Sequence, residues 1–96
     1  MIIHTVAFRL KHPKGSVEEA GFLEAADVLI GIRGVENFEK LRQVSVKNDF
    51  TFGFSMQFKS QTEYDFYNNH TDHVAFVQGR WIPEVEKFTE LDYVKL

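Results

Sequence analysis

The segment from residue 50 to residue 58 constrains the fold more than any other part of the chain. Large apolar residues alternate along it with small or polar ones, and the apolar set is Phe50, Phe52, Phe54, Met56 and Phe58. Successive side chains of a β-strand point to opposite faces, so this alternation predicts a strand with one strongly apolar face. Such a face has to be covered, and we expect helices to cover it.

Three further strands are predicted from similar patterns. Residues 2–10 alternate clearly, residues 35–45 alternate weakly, and a last strand is expected over about residues 86–94. In the first strand His4, Val6 and Phe8 share one side, whereas the intervening residues share the other. The histidine is therefore expected on the same face as two core residues.

Two helices are predicted from the spacing of serine and glutamate. Ser16 with Glu19, and Ser60 with Glu63, have the spacing of a helix capping box. The first pair predicts a helix that runs to about Ile32. The second predicts a helix that is interrupted near residues 70–72 and resumes to about residue 79.

The resulting order is βαββαβ in a single domain over residues 1–96. This order predicts an α+β protein with the ferredoxin-like fold, in which two helices cover one face of a four-stranded antiparallel sheet. The other face is expected to carry small, semi-polar side chains, namely Ile3, Thr5, Ala7, Thr51, Gly53 and Ser55. We expect this face to pair with the sheet of a second copy, which gives a homodimeric α/β barrel.

Composition narrows the classes of function. With 44% hydrophobic and 15% aromatic residues, the chain is expected to fold rather than to stay disordered. The net charge is -3 and lysine and arginine are scattered, so neither nucleic acid nor an anionic membrane is predicted as a partner. The chain has no cysteine, and no run of about 18 apolar residues or export signal is visible. We therefore expect a cytoplasmic protein.

A candidate site is predicted around Tyr67, His70 and His73, with His4 on the first strand as a fourth member. Imidazole titrates near neutral pH and a phenol can donate a hydrogen bond, so these groups can move protons without a cofactor. In the functional interpretation His73 is a general base, Tyr67 stabilises the oxyanion and His4 supports them. In the structural interpretation His73 is bonded to backbone at the helix break, and Tyr67 is a packed core residue.

Apolar residues near this group are candidates for lining a ligand pocket, although residues at strand spacing also suit a plain core. The candidate ligand-binding residues are Val6, Phe8, Phe22, Phe54, Met56, Phe76 and Trp81.

A metal site is not predicted. His70 and His73 are three residues apart, but no His-Glu-x-x-His pattern, cysteine pair or fixed third ligand accompanies them. His70 is expected to shape the turn between the two helical segments. No cofactor is predicted either, because the chain has no glycine-rich phosphate loop and no nucleophile elbow.

Five short patterns follow one another on the expected elements. They are His4-x-Val6-x-Phe8, Ile32-x-Gly34-Val35-x-x-Phe38, Phe58-x-Ser60, Tyr67-x-x-His70-x-x-His73-x-x-Phe76 and Asp92-Tyr93. In these patterns the chain resembles the stress-responsive dimeric α/β-barrel (Dabb) family over nearly its whole length. The resemblance implies the fold described above and a dimer that forms sheet to sheet.

The resemblance also implies positions for a site. The family includes a plant polyketide cyclase of the olivetolic acid type, which closes a ring by aldol chemistry in a pocket between sheet and helices. By position in the motif, its catalytic tyrosine and histidine correspond to Tyr67 and His73, and its pocket histidine to His4. Arg33 and Thr71 stand where the family usually has proline, so the turn before His73 lacks the fixed φ of that residue.

The leading hypothesis is a homodimer that binds a small apolar or aromatic molecule between sheet and helices, with cofactor-independent cyclase or lyase chemistry if it is an enzyme. Two alternatives remain open at this point. One is a non-enzymatic structural or stress-related binding dimer. The other is a cofactor-free monooxygenase that uses Asn68 or Asn69, Trp81 and a histidine.

Overall fold

A computed structural model describes all residues from Met1 to Leu96. The chain forms four strands and four α-helices, joined in two places by helical turns of other types. In chain order these are β1 (Ile2–Leu10), α1 (Val17–Ala25), a 3₁₀ helix (Ala26–Gly31), β2 (Glu36–Arg42), β3 (Phe52–Phe58), α2 (Gln61–Asn69), α3 (Thr71–Phe76), a π-helical turn (Val77–Trp81), α4 (Ile82–Glu84) and β4 (Val85–Tyr93).

The four strands make one antiparallel sheet in the spatial order β2-β3-β1-β4. This confirms the predicted ferredoxin-like fold. The pairing register sets His4 opposite Met56 on one side and opposite Asp92 on the other. Directly opposite residues of antiparallel strands share a face, so these three side chains all lie on the helix-covered face of the sheet.

The core lies between that face and the helices. Its most deeply buried large side chains are Phe8, Phe22, Phe58 and Met56. The predicted alternation of β3 is confirmed from residue 52 to residue 58. Phe50 instead precedes the strand and is only half-buried, because its backbone N–H bonds to the Asn48 side chain in the turn and not to a neighbouring strand.

The first helix begins where the capping-box spacing predicts. The Ser16 hydroxyl accepts a hydrogen bond from the Glu19 N–H, and the Glu19 carboxylate accepts one from the Gly15 N–H. The α-helix ends earlier than predicted, at Ala25, and continues as the 3₁₀ helix. Residues three apart share a face in a 3₁₀ helix, which lets Ala26 and Leu29 both pack into the core.

The second helical segment is broken at His70, as predicted. His70 has extended backbone angles, and its Nδ1 accepts a hydrogen bond of 3.0 Å from the Asp72 N–H. It thereby caps α3 and forces the change of direction between α2 and α3. At the start of α2 the Ser60 hydroxyl bonds to the Glu63 carboxylate and not to a backbone N–H.

The other face of the sheet carries no helix. It presents the small side chains of Thr5, Ala7 and Gly53, and beside them Leu91 and Tyr93 are about half exposed, at 51% and 50%. We call this surface the open face. None of the helices has the length and apolar content that crossing a membrane requires.

Candidate functional site

A cavity of about 350 Å³ lies between the helix-covered face of the sheet and the chain from α2 to α4. Ten of its 13 lining residues are hydrophobic. Eight of the predicted site residues are brought together in its wall, and these are His4, Val6, Phe54, Met56, Tyr67, His73, Phe76 and Trp81. Leu29, Val77, Ile82, Phe88 and Glu90 complete it.

Two predicted ligand contacts do not reach the cavity. Phe8 and Phe22 have no exposed surface and lie behind the wall, where both rings pack against Trp81 at centroid distances of 5.0 and 6.1 Å. The sequence pattern placed them on the correct face. It could not predict which aromatic side chains would stand in front of them, because that depends on the packing of residues 77–82.

His4 is held by a network that the sequence did not predict. Its Nδ1 lies 2.6 Å from Oδ1 of Asp92 and 2.8 Å from the hydroxyl oxygen of Tyr64. The Tyr64 hydroxyl donates to Oδ2 of the same carboxylate at 2.8 Å. The carboxylate therefore accepts from both groups, and a neutral His4 carries its proton on Nδ1. The opposite nitrogen, Nε2, is left as an acceptor.

Burial and this network raise the pKa of Tyr64, because desolvation and the neighbouring Asp92 both disfavour a phenolate. Tyr64 thus remains a hydrogen-bond donor across the ordinary pH range. It lies three residues before Tyr67 on α2, which puts both side chains on one helical face. This i, i+3 spacing was a usable signal for Tyr64, whereas Asp92 reaches the site only through strand register.

Tyr67 and His73 form a second polar group in the cavity wall. Their ring centroids are 4.3 Å apart, and the Tyr67 ring is 6.2 Å from that of His4. Tyr67 is only 3% exposed, and its hydroxyl makes no hydrogen bond within the chain. Burial raises its pKa, with a smaller contribution from Glu90, so the hydroxyl keeps its proton.

His73 has a defined proton position. Its Nδ1 donates to the backbone carbonyl of Asn68 at 3.1 Å, which leaves Nε2 with a free lone pair in the neutral ring. Burial lowers the pKa of His73, although the bond to Asn68 partly opposes this. The imidazole is therefore neutral near pH 7, which is the state that a proton acceptor needs.

The remaining residues of the sequence hypotheses lie outside the cavity. Asn68 and Asn69 are exposed, and the Asn69 side chain bonds to the backbone of Asp65. The His70 ring packs against Phe66 and its Nδ1 is occupied by the cap of α3. No group of three histidine, cysteine or acidic side chains is placed to hold a metal ion.

Comparison with known proteins identifies the family. Residues 2–95 match the family described as Stress responsive A/B Barrel Domain, or Dabb. The chain belongs to the Dabb family. A Dabb family protein with a ferredoxin-like fold from Mesorhizobium loti is 59% identical, with a TM-score of 0.97 over 99% of this chain and 96% of that chain. No functionally curated protein matches this Dabb protein.

More distant structures share the fold. A dimeric ferredoxin-like protein of unknown function from Thermobifida fusca is 16% identical, with a TM-score of 0.81 over 98% of this chain and 90% of that chain. The hydroxynitrile lyase from Passiflora edulis is also 16% identical, with a TM-score of 0.85 over 99% of this chain and 93% of that chain. At these identities the similarity concerns the fold alone.

Proposed function

We propose that this Dabb protein binds a small, largely apolar molecule in the cavity and catalyses a cofactor-independent proton transfer on it, of the lyase or cyclase type. One observation carries the proposal: His4, Tyr67 and His73 together place polar groups in the wall of a largely apolar cavity. A pocket with mostly apolar walls and a few convergent polar groups is the usual form of a small-molecule site.

The size of the cavity supports a small ligand. Its volume of about 350 Å³ lies near the lower end of the range of about 300–1,000 Å³ for ligand pockets. Phe54, Phe76 and Trp81 offer aromatic surfaces to such a molecule. We therefore expect the apolar part of the ligand to be an aromatic or alicyclic ring.

The two imidazoles supply candidate bases. In the mechanism that we propose, Nε2 of His73 removes a proton from a carbon or hydroxyl next to a carbonyl group of the ligand. Because its Nδ1–H is held by the Asn68 carbonyl, the imidazolium that forms is stabilised by an existing hydrogen bond. The His73 imidazolium then returns the proton to the product from Nε2, while His4, oriented by Asp92 in the same manner, takes a supporting role.

Tyr67 supplies the complementary donor. Its protonated, unpaired hydroxyl stands beside His73 and can donate to the oxygen on which negative charge develops. A donor that is already in place when the charge forms stabilises the transition state more than the ground state. The Passiflora lyase supplies a precedent for enzymatic chemistry on this fold, whereas the roles proposed for this chain depend on its own residues.

Solvent deuterium exchange on simple model ketones tests the proposal. A panel of small aryl ketones is incubated with the protein in D₂O, and exchange at the carbon next to the carbonyl is followed by NMR. We expect catalysed exchange that falls by about 100-fold or more in His73→Ala and by about 10- to 100-fold in Tyr67→Phe.

Matched controls are His12→Ala and Tyr93→Phe, since neither residue lines the cavity. Exchange that is unaffected by the His73 and Tyr67 substitutions would reject the assigned roles. Ligand binding without any exchange in the wild type would reject catalysis and leave a binding protein.

We also propose that the protein is a homodimer joined through the open face. The half-exposed Leu91 and Tyr93 of β4 lie beside small residues of β1, which suits close approach of a second sheet. The Thermobifida protein of the same fold is described as dimeric. Light scattering tests this: a species of twice the 11.2 kDa chain mass is expected, and a monomer at micromolar concentration would contradict it.

A further inference from the structure

Glu90 gives the cavity a charge. It is the only carboxylate among the lining residues, and no lysine or arginine contributes to the wall. Its carboxylate lies 3.8 Å from Nε2 of His4, and 59% of its side chain is exposed. Glu90 therefore stands at the opening of the cavity, with its negative charge directed to the space that a ligand would occupy.

Two of the aromatic residues that line the cavity with this carboxylate, Phe88 and Trp81, pack against each other. Phe88 lies two residues before Glu90 on β4, so both side chains are on the helix-covered face. The Trp81 ring meets the Phe88 ring edge to face, with centroids 5.6 Å apart. Aromatic faces attract cations, and tryptophan does so most strongly. A carboxylate with aromatic neighbours is a suitable site for a positively charged group.

The negative charge of Glu90 affects the pKa values of two residues in the cavity wall, Tyr67 and His73. Burial is the main cause of the raised pKa of Tyr67, and the Glu90 carboxylate is the second cause. For His73, burial lowers the pKa and Glu90 partly offsets that lowering. Both effects have the sign of a negative potential, which disfavours a phenolate and favours an imidazolium. The same potential disfavours an anionic ligand. A cationic ligand would cancel it and so assist the development of negative charge near Tyr67.

We propose that the cavity selects a ligand with an apolar ring and a positively charged amine, and that Glu90 is the residue that determines this specificity. The inference rests on the ligand site of the proposed function, and it adds the charge class of the ligand. The amine binds between the Glu90 carboxylate and the rings of Trp81 and Phe88, while the ring of the ligand occupies the apolar interior.

The chain has a single tryptophan, and this residue lines the cavity, so tryptophan fluorescence reports binding directly. Phenylpropylamine, phenylpropanol and phenylpropanoate are titrated at neutral pH and low ionic strength. These probes share one apolar body and differ in the charge of the end group. We expect the amine to bind about tenfold more tightly than the carboxylate, with the alcohol between them.

Glu90→Gln removes the charge and keeps the shape of the side chain. We expect it to reduce the preference for the amine to about twofold or less, and we expect added salt to weaken the preference of the wild type. The control is Glu86→Gln, which makes the same change of charge on β4 at a residue outside the cavity wall.

The inference and the proposed function can fail separately. Binding of the alcohol supports the cavity as a ligand site, whatever the other probes do. Equal binding of amine and carboxylate to the wild type would overturn the charge inference. A preference that persists unchanged in Glu90→Gln would overturn it also, because another residue would then be its source.

Discussion

The buried imidazole of His4 is held in one orientation by its two partners, Tyr64 and Asp92. His4 is only 5% exposed, yet its Nδ1 is satisfied by a carboxylate and by a hydroxyl from a different element. A buried polar network is stabilising only when each member has a partner. Here the arrangement points the unpaired Nε2 toward the cavity.

Tyr64→Phe tests the structural contribution of this network. The substitution removes the hydroxyl that donates to Asp92 at 2.8 Å and leaves the ring that stacks on Phe58 at 4.9 Å. We expect the free energy of unfolding to fall by about 1 kcal/mol, measured by urea denaturation. Thr62→Val, which removes an exposed hydroxyl from the same helix, is the control. An equal effect in both variants would show that the network contributes nothing specific.

Asp92→Asn tests the orientation of His4. An amide can present its NH₂ group to Nδ1 and so favour the other imidazole tautomer, with the proton on Nε2. We expect deuterium exchange to fall by about tenfold or more while the fold, followed by circular dichroism, is retained. Unchanged exchange would remove His4 from the reaction.

The titration of His73 follows from its environment. Burial moves its pKa below the usual 6.5, so we expect an NMR titration midpoint below that value. The unfolded chain then binds a proton more readily than the folded chain. The corresponding stability is fully present above pH 6.5 and is lost as the pH falls toward the folded pKa. A midpoint above 6.5 would contradict the neutral base.

At the scale of the elements, sequence patterns predicted a helix or strand correctly where its structure depends on a single local feature. The alternation in β3 and the cap at Ser16 were sufficient to predict those elements. The 3₁₀ helix and the π-helical turn were not predicted, because their geometry depends on tertiary packing. In particular, the π-helical turn ends at Trp81, whose ring packs against Phe8, Phe22, Phe54 and Phe88.

Gly34 is needed at the connection that leads into β2. It has a φ of +96°, and an added Cβ would lie 3.1 Å from Cβ and Cγ of Glu63. We expect Gly34→Ala to lower the free energy of unfolding by about 1–2 kcal/mol, measured by thermal or urea denaturation. Gly31→Ala is the control, since Gly31 ends the preceding 3₁₀ helix and an added methyl group there would meet no atom within 4 Å beyond the local backbone. Equal effects would refute a positional role.

At the scale of the whole molecule, the fold was predictable because local patterns and the overall order agreed. The candidate site was predictable only in part. The motif around Tyr67 and the first strand indicated three polar residues, whereas Asp92 and Glu90 enter through the register between β1 and β4. Register depends on the complete sheet, and no short segment of sequence specifies it.

The proposed homodimer predicts the effect of a charge on the open face. Ala7 lies opposite Gly53 on one neighbouring strand and Thr89 on the other. We expect Ala7→Arg to convert the dimer to a monomer, because an unpaired charge would be buried between the sheets. Ala20→Arg, on the exposed surface of α1, makes the same change away from the sheet. A dimer that survives Ala7→Arg would exclude this interface.

The cavity and the open face lie on opposite sides of one sheet. In the proposed homodimer the second subunit covers the open face and not the cavity, so we expect each chain to hold a complete site. Occupation of one site leaves the other unobstructed. Saturation should follow a simple hyperbola with one ligand per chain, and a Hill coefficient near one is the signature of this independence.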